Sequence, residues 1–391
     1  MPGRSVLVRS DALLGYRFGP DHPFNPMRLA MTFDLIDAME INAGSVLAPR
    51  PATRAELETA HWTLYIDAVR RLSEPGQDSW GAEKFGLGTD DNPIFPGMHD
   101  AASLAVGGTV VAAEQLLEGT ALHALNLAGG LHHAQFGHAS GFCVYNDVVV
   151  AIRQIRALRG WRVFYLDLDA HHGDGVQAAF YCDPEVLTVS FHETGRYLFP
   201  GTGALEEMGE GAGRGYAVNV PLEPYTGDVS WLECLNQLVP PLLRQFQPDV
   251  LVTQFGCDGH AWDPLTDLHA TTAFYVQSAR LAHEWAHAYA GGRWLATGGG
   301  GYDIHRVVPR AWAALWAEMA GRPVSEQTPV PKVWRERWQH SAALPLPTGF
   351  YDGADDIATI ARAGEIQTGN RATVQRLMRL APLLTAGERG V

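Results

Sequence analysis

The sequence predicts an α/β protein with three layers, in which a mainly parallel central sheet is covered by helices on both faces. Short apolar runs rich in β-branched residues alternate along the chain with longer segments of helical periodicity. Such alternation is typical of parallel sheets, because parallel strands need long crossover connections. With 391 residues, 46% of them hydrophobic, the chain can bury one large core as a single domain.

Seven segments have the pattern of strands and six have the pattern of helices. The predicted strands are SVLVRS, ALNLAGG, RVFYLDLDA, VLTVSFH, YAVNVPL, DVLVTQFGCD and RWLATGGGGYD. The predicted helices lie near residues 27–41, 100–117, 146–159, 228–246, 271–290 and 303–320. Proline, glycine and polar residues dominate after GRPVSEQTPVPK. We therefore predict a main domain over residues 1–322 and a C-terminal extension over 323–391, with one late helix, packed on or appended to the same domain.

The charge of the chain argues against a nucleic-acid-binding surface. The sequence has 43 acidic and 29 basic residues, a net charge of −14, and no run of lysine or arginine longer than two. An acidic exterior is compatible with cationic partners, including lysine-rich protein segments. We expect no nucleic-acid partner.

Cysteine spacing and hydropathy indicate a cytoplasmic protein. The four cysteines are far apart and form no CxxC pair, which suggests neither a thiolate zinc cluster nor a disulfide framework. The N-terminus lacks the apolar core of a signal peptide, and no apolar stretch of roughly 18 residues occurs. We therefore expect a reducing cytoplasm and no membrane partner.

Five predicted strands end in unusual polar or glycine-rich sequences. These are GGLHH, DLDAHHGDG, SFHETG, GCDGHAWDP and TGGGGYD. In open parallel sheets, ligands bind beyond the carboxyl ends of the strands. We therefore expect these five endings to converge on one site.

The ending DLDAHHGDG has the pattern of a metal site. The two-residue period of a strand puts Asp167, Asp169 and His171 on one side. Asp169 and His171 are the better pair of ligands, and Asp263 in GHAWDPL is the strongest candidate for the third. Such an oxygen and nitrogen donor set suits zinc or ferrous iron. The alternative is that these buried side chains only hydrogen-bond loop backbone.

The adjacent histidines of GGLHH favour acid–base chemistry. Neighbouring side chains of an extended segment point to opposite sides, so His132 and His133 are poorly placed to bind one ion, although a loop relaxes that rule. A neutral imidazole is well suited to proton transfer when a carboxylate orients it. Asp167 and Asp174 are the carboxylates left over for this role.

The ending TGGGGYD is not a phosphate-binding loop, because the chain has no GxxxxGK[ST] and no GxGxxG that opens a helix after a first strand. Four glycines permit close backbone approach and place Tyr302 beyond them, where its hydroxyl could donate to an oxyanion. A structural turn with a packing tyrosine is the alternative.

Together these motifs resemble the zinc-dependent histone deacetylase family, within the arginase-deacetylase fold. SGFCVYND, DLDAHHGDG, SFHETGRYLFPGTG and GCDGHAWDPL are most similar to its bacterial acetoin-utilisation branch, whose members also have a C-terminal extension. The resemblance runs from GPDHPFNPMRLAMTFDLI to the helix after TGGGGYD, and makes residues 1–322 the catalytic domain. It implies hydrolysis of the acetyl group from lysine side chains of proteins, with release of acetate.

The resemblance also implies roles for individual residues. The implied ligands of the catalytic Zn²⁺, or of Fe²⁺, are Asp169, His171 and Asp263. The implied acid–base groups are His133, the general base and then acid, and His132, an electrostatic support, paired with Asp174 and Asp167 respectively. Tyr302 would hydrogen-bond the substrate carbonyl.

Further implied positions surround this centre. The substrate channel would comprise Gly141, Phe142, Phe199 and Ala270, with Asp91 at the rim holding the substrate backbone. Arg28 would lie near an acetate exit, and a structural K⁺ would be bound by Asp167, Asp169, His171, Ser190 and Phe191. At Ala270 many relatives carry a larger apolar residue, which suggests a roomier pocket here and argues against polyamine selectivity. For His269, where an asparagine is common, the sequence suggests no role.

Two alternatives to a protein lysine deacetylase stay open on the sequence, and a third, an arginase-like enzyme, is disfavoured. An arginase-like enzyme would need extra carboxylates for two manganese ions, whereas this chain has DAHHGD and DGHAWD. An acetylpolyamine amidohydrolase would perform the same chemistry on a small cation. A non-catalytic binding protein would use the pocket only to hold a ligand. The resemblance indicates acetyl-CoA synthetase as a protein substrate, and the sequence indicates no oligomeric state.

Overall fold

The centre of the structure is one sheet of eight strands, described by a computed structural model over residues 5–41, 44–353, 355–380 and 383. In chain order the strands are β1 (Ser5–Val8), β2 (Ser45–Leu47), β3 (His123–Asn126), β4 (Val163–Asp167), β5 (Val186–Glu193), β6 (Ala217–Leu222), β7 (Val250–Gln254) and β8 (Trp294–Thr297). All neighbouring strands pair in parallel, in the order β2-β1-β3-β8-β7-β4-β5-β6.

Helices connect the strands and cover both faces of the sheet. They are α1 (Met27–Ala38), α2 (Arg54–Glu58), α3 (Thr63–Leu72), α4 (Met98–Glu118), α5 (Asp147–Arg159), α6 (Asp174–Phe180), α7 (Asp228–Phe246), α8 (Thr272–Tyr289), α9 (Val308–Met319), α10 (Lys332–Trp338) and α11 (Ala363–Leu380). Helices α1, α7, α8 and α9 pack on one face, whereas α3, α4 and α5 pack on the other. The predicted three-layer α/β class is confirmed.

Two apolar cores form because successive side chains of each strand point to opposite faces. In β1, Leu7 belongs to the core under α1 and α9, whereas Val6 and Val8 belong to the core under α4. Strand β4 divides in the same way, with Phe164 in the first core and Tyr165 in the second. Strands buried on both faces read as continuous apolar runs, which is why the sequence identified them.

All seven predicted strands and all six predicted helices are present, and among the described residues the structure adds one strand, four α-helices and four short 3₁₀ helices. Strand β2 was missed because its three residues lie at the exposed edge of the sheet and show no alternation. Helix α6 is only seven residues long and begins inside the motif DLDAHHGDG. Helices α2, α3 and α10 were also missed.

The C-terminal extension packs on the main domain at three places. Helix α10 lies on α1, where the buried Trp334 indole donates to the Met31 carbonyl at 2.9 Å. Helix α11, the predicted late helix, lies on α7 and β6, and Asn370 donates to the Ser230 hydroxyl at 2.9 Å. Between them, Asp352 accepts from the buried Arg310 guanidinium at 2.7 Å.

Asp352 also ties the extension to the loop that follows β7. Its carboxylate lies 3.0 Å from His260 Nε2 and accepts from the backbone and the hydroxyl of Thr272, both at 2.7 Å. Burial alone would raise the pKa of Asp352, but these hydrogen bonds and the charge of Arg310 hold it well below its usual range. The extension therefore supports the loop that carries Asp258 and Asp263.

Among the described residues, no helix combines the length and the apolar character that crossing a membrane requires.

Candidate active site and metal centre

The candidate site lies where the four central strands of the sheet end. The order β3-β8-β7-β4 makes neighbours of strands that are far apart in sequence. The loop after β3 carries His132 and His133, and the loop after β4 carries Asp169 and His171. The loop after β7 carries the aspartates of GCDGHAWDP, and the loop after β8 carries Tyr302. Four of the five predicted strand endings thus meet in one place, as expected for the carboxyl edge of a parallel sheet.

Each of the two adjacent histidines is paired with a carboxylate. His132 Nδ1 lies 2.8 Å from Asp167 Oδ2, and His133 Nδ1 lies 2.7 Å from Asp174 Oδ1. The two Nε2 atoms are 3.0 Å apart, so the rings converge at their free nitrogens. Both histidines lie in the loop after β3, where the extended-chain rule does not separate neighbours, whereas Asp167 ends β4 and Asp174 begins α6. The geometry is that of two carboxylate-oriented imidazoles.

The two imidazoles have opposite pKa shifts. Burial by itself lowers the pKa of His132, but the charges of Asp167 and Asp169 outweigh it and raise this pKa to about 9. Burial and the neighbouring charge of His132 lower the pKa of His133 to about 4, against the opposing effect of Asp174. The opposite shifts place a single positive charge on the pair near neutral pH, on His132, and leave the His133 ring neutral.

Two residues that the sequence analysis did not identify shape the histidine loop. The buried Asp147 carboxylate accepts from the backbone N–H groups of Gly130 and Leu131 at 2.8–3.1 Å. The Asn146 amide donates to the His132 carbonyl at 3.2 Å and to the Ala134 carbonyl at 3.0 Å. Both belong to the motif SGFCVYND, whose adjacent polar pair at a helix start was the signal available.

A group of three buried potential ligands forms the candidate metal centre. Ligand atoms of Asp169, His171 and Asp258 all lie within 4.8 Å of one another. Asp258 is not among the ligands predicted from the sequence, although its position at the end of GCD, four residues after β7, was a usable signal. The predicted third ligand, Asp263, is in the same loop and is buried. Its carboxylate accepts from the backbone of Tyr302 at 2.8 Å and of Leu265 at 3.0 Å.

The electrostatics of this centre fit a bound cation. Burial and the charge of Asp169 raise the pKa of Asp258 to about 6. Burial and the charge of Asp258 also raise the pKa of Asp263 well above its usual range. Buried carboxylates this close to one another are costly unless a positive charge balances them. A donor set of carboxylate oxygens and one imidazole nitrogen suits zinc or ferrous iron.

Glycines allow the carboxylates to be packed this tightly. A Cβ atom at Gly256 would lie 2.1 Å from Asp169 Oδ2, and a Cβ atom at Gly300 would lie 2.0 Å from Asp258 Oδ2. The Gly300 N–H donates to Asp169 Oδ2 at 2.7 Å. The glycines of TGGGGYD thus serve the close backbone approach that the sequence predicted.

Tyr302 and Arg28 border the centre. Burial and the charges of Asp258 and Asp169 raise the pKa of the Tyr302 hydroxyl, which therefore keeps its proton and can donate it in a hydrogen bond. The buried Arg28 guanidinium donates to the Gly299 carbonyl at 2.8 Å and lies over the ring of Phe24 at 4.0 Å. It places a fixed positive charge beneath the site.

Two aromatic side chains predicted to line the substrate channel lie beside the site. The rings of Phe142 and Tyr302 are 5.8 Å apart, and those of Phe199 and His133 are 5.1 Å apart. Phe142 is partly buried and Phe199 is exposed. Asp91 is exposed, and its carbonyl lies 3.3 Å from His22 Nε2, whose ring contacts Phe142. Asp91 is thus close to the rim.

Gly141 has no room for a side chain. Its φ of 49° is in the left-handed region, and a Cβ atom would lie 2.5 Å from His133 Cδ2 and 2.8 Å from Phe199 Cε1. We expect Gly141→Ala to displace the His133 ring and to lower kcat/KM roughly 100-fold, as small misplacements of catalytic groups do. Steady-state kinetics on an acetyl-lysine peptide measures this effect.

Gly137→Ala is the matched control, because a Cβ atom there meets only Trp62, at 3.9 Å. Activity near that of the wild type is expected for Gly137→Ala. If Gly141→Ala were as active as Gly137→Ala, the absence of a side chain at position 141 would not be needed to position His133.

The prediction for Ala270 needs correction. Ala270 has no exposed surface and packs in the core between the backbone groups of Gly259 and Ala261, so it contributes no surface to the channel. A methyl side chain is too short to reach past this packing. His269, to which the sequence assigned no role, lies 2.7 Å from the Ala358 carbonyl and so contacts the C-terminal extension.

The residues predicted for structural K⁺ lie side by side. Asp167 and Ser190 are register partners on β4 and β5, so their side chains point to the same face. The Asp167 carboxylate accepts from the Tyr165 hydroxyl at 2.6 Å, and the Ser190 hydroxyl lies 2.9 Å from His192 Nδ1. Phe191, the next residue of β5, is fully buried. Oxygen donors at these positions fit a hard cation, and the K⁺ site stays a prediction.

The chain is similar to known proteins over nearly its whole length. Residues 22–319 match the histone deacetylase domain. The acetoin utilization protein AcuC of Bacillus subtilis (strain 168) is 47% identical over 375 residues, which are 96% of each chain. AcuC of Staphylococcus aureus (strain Mu50) is 40% identical over 369 residues, covering 94% of this chain and 95% of that protein. The crystal structure of an HDAC homolog complexed with SAHA superposes with a TM-score of 0.83 at 29% identity, covering 96% of this chain and 100% of that one.

Proposed function

The chain belongs to the histone deacetylase family, and from that premise we propose that it removes acetyl groups from lysine side chains of proteins and releases acetate. Family membership makes it a deacetylase, and its sheet has the arginase-deacetylase fold. The observation that carries the proposal is the meeting of two carboxylate-oriented histidines at 3.0 Å, beside a buried set of metal ligands.

Asp169 and His171, with the carboxylates of Asp258 and Asp263, would hold the catalytic metal. A zinc or ferrous ion bound there would act as a Lewis acid that activates water and polarises the acetyl carbonyl. The buried negative charge of these carboxylates supports the assignment, since it needs a cation for balance.

The histidines move the protons of the reaction. His133, neutral because its pKa is about 4, accepts a proton from water as the new C–O bond forms. The same proton then passes to the amide nitrogen as the C–N bond breaks, which gives a free lysine amine and acetate. His132 stays protonated through its interaction with Asp167 and stabilises the negative charge of the intermediate.

Tyr302 and Arg28 assist from the two sides of the reacting carbon. The Tyr302 hydroxyl, held protonated by its surroundings, donates a hydrogen bond to the developing oxyanion. The buried positive charge of Arg28, which the resemblance places near an acetate exit, would attract the acetate product.

The channel supports an acyl-lysine substrate. The aromatic rings of Phe142 and Phe199 offer apolar walls to the four-carbon stem of a lysine side chain. The net charge of −14 suits a cationic protein segment around the acetylated residue. We further propose that the protein substrate belongs to acetate and acetoin metabolism, with acetyl-CoA synthetase as the first candidate, because the AcuC relatives are named for acetoin utilization.

A substrate profile tests this proposal against the acetylpolyamine alternative. The metal-stripped protein, reconstituted with zinc or iron(II), is assayed with acetyl-lysine peptides, N-acetylated polyamines and longer acyl-lysines. We expect kcat/KM for the acetyl-lysine peptides to exceed that for the polyamines by roughly ten-fold or more.

Two results would contradict the proposed substrate. Faster turnover of polyamines by orders of magnitude would make the chain an acetylpolyamine amidohydrolase. Tight binding of all these compounds without hydrolysis would make it a binding protein. A Tyr302→Phe variant with full deacetylase activity would contradict the role proposed for the Tyr302 hydroxyl.

A further inference from the structure

Three histidines form a cluster at the amino-terminal edge of the sheet, opposite the candidate active site. His123 begins β3, and His283 and His287 lie one turn apart on α8. One ring nitrogen of each lies within 4.8 Å of the other two, and the Nε2 atoms of His123 and His287 are 3.2 Å apart. We call these three residues the histidine cluster. The proposed deacetylase chemistry uses none of them.

Hydrogen bonds on the outer side of the cluster orient two of the rings. His123 Nδ1 lies 3.0 Å from the Met319 carbonyl, and His283 Nδ1 lies 2.6 Å from the Glu318 carboxylate. Donation from Nδ1 to these acceptors leaves the Nε2 atom of a neutral imidazole ring free to bind a metal. A histidine that binds a metal commonly donates its other N–H to a backbone carbonyl or a carboxylate in this way.

The cluster is poorly explained by packing alone. One N–H···N hydrogen bond can satisfy the His123–His287 pair, but within the described part of the chain Nε2 of His283 has no hydrogen-bond partner. The ring centroids of His123 lie 4.6 Å and 5.3 Å from those of His283 and His287. Three converging imidazoles are the ligand set of a transition-metal ion.

We propose that the histidine cluster binds a divalent transition-metal ion of the zinc type, at a site separate from the catalytic metal. Three imidazole nitrogens with one open position suit tetrahedral zinc. His287 is exposed and His283 partly so, which gives an ion access from solvent.

The site binds the ion and does not hydrolyse peptides. His283, Glu284 and His287 have the H-E-x-x-H spacing of zinc peptidases, in which the glutamate is the general base. Here the Glu284 side chain is 60% exposed and pairs with Arg280 at 3.4 Å on the same helix. It therefore supplies no base to the cluster. A bound ion instead links β3 to α8 and, through Glu318, to α9, and so stabilises the folded state.

Metal counting in paired variants tests the proposal. Chelator-stripped wild type, His287→Ala and His283→Ala proteins are titrated with Zn²⁺, dialysed, and analysed for zinc by mass spectrometry of the digested protein. His340→Ala, which removes an exposed histidine outside the cluster, is the control. We expect the wild type and His340→Ala to bind one equivalent of zinc more than either cluster variant. The deacetylase activity of His287→Ala should equal that of the wild type.

The difference in zinc content between the wild type and a cluster variant distinguishes this site from the catalytic one. If the catalytic centre held no metal, the zinc content of every protein would be lower by one equivalent, but the wild type would still bind one equivalent more than the cluster variants. Equal zinc contents in wild type and both cluster variants would overturn the proposal. So would a loss of both zinc and activity in His287→Ala, because the site would then not be separate. A second readout is thermal: Zn²⁺ should raise the unfolding temperature more in the wild type than in His287→Ala.

Discussion

Replacing His133 with alanine is expected to lower kcat for an acetyl-lysine peptide roughly 1,000-fold, because general acid–base catalysis contributes about that much. In the structure, His133 is the imidazole whose pKa is lowered, to about 4, and it is oriented by Asp174 at 2.7 Å. It can therefore accept a proton at neutral pH. His132 has its pKa raised to about 9 and already carries the proton of the pair.

This difference predicts unequal effects at the two adjacent positions. His132→Ala removes a charge but not the base, so we expect a smaller loss of kcat, roughly 10- to 100-fold. His138→Ala is the control, since this histidine of the same loop is exposed. Kinetics should be accompanied by circular dichroism and metal analysis, so that loss of fold or metal is not mistaken for loss of the base. If His132→Ala proved the more damaging change, the two roles would be reversed.

The second large effect is expected at the carboxylates of the metal centre. Asp258→Asn and Asp263→Asn should each weaken metal binding at least about ten-fold, because each removes one buried negative charge that the cation balances. His171→Ala should abolish metal binding and reduce activity about 1,000-fold or more, because it removes the nitrogen ligand of the group. Equilibrium competition with a chromophoric chelator measures affinity, and deacetylase kinetics at saturating metal measures the chemical step.

The comparison of the two aspartates assigns the third ligand. Asp267→Asn is the control, since this carboxylate lies in the same loop but outside the group of converging ligands. If Asp258→Asn or Asp263→Asn kept the metal affinity of the wild type, the aspartate replaced in that variant would not be a metal ligand. Asp258 would then support His171 only through the contact at 2.9 Å, or Asp263 would only hold the backbone of Tyr302 at 2.8 Å.

Much of the site followed from local pattern. The two-residue period of β4 placed Asp169 and His171 together, and the structure has both in the converging group. The leftover aspartates predicted as partners of the histidines, Asp167 and Asp174, are within hydrogen-bonding distance of them. Asp167, Asp169, His171 and Asp174 lie within eight residues at the end of β4, so one local motif contains all four.

Other features of the site could not be predicted locally. Asp258 is brought toward His171 by the pairing of β7 with β4. These strands are adjacent in space, although Asp167 at the end of β4 and Val250 at the start of β7 are 83 positions apart in sequence. The burial of Ala270 depends on how its loop folds back on Gly259. The histidine cluster brings the start of β3 to the last turns of α8 and, through Glu318, to α9. No sequence motif covers these three elements.

The amino-acid sequence alone was enough for the α/β class, the strands, and the residue types of an acid–base and metal site, because alternation and polar strand endings are local properties. The strand order β3-β8-β7-β4 came only from the tertiary structure. That order decides which loops are neighbours, and hence which carboxylates lie close enough to shift one another's pKa values. The pairing of distant strands and the desolvation of buried carboxylates depend on the whole packed fold. Neither can be predicted from a local sequence pattern.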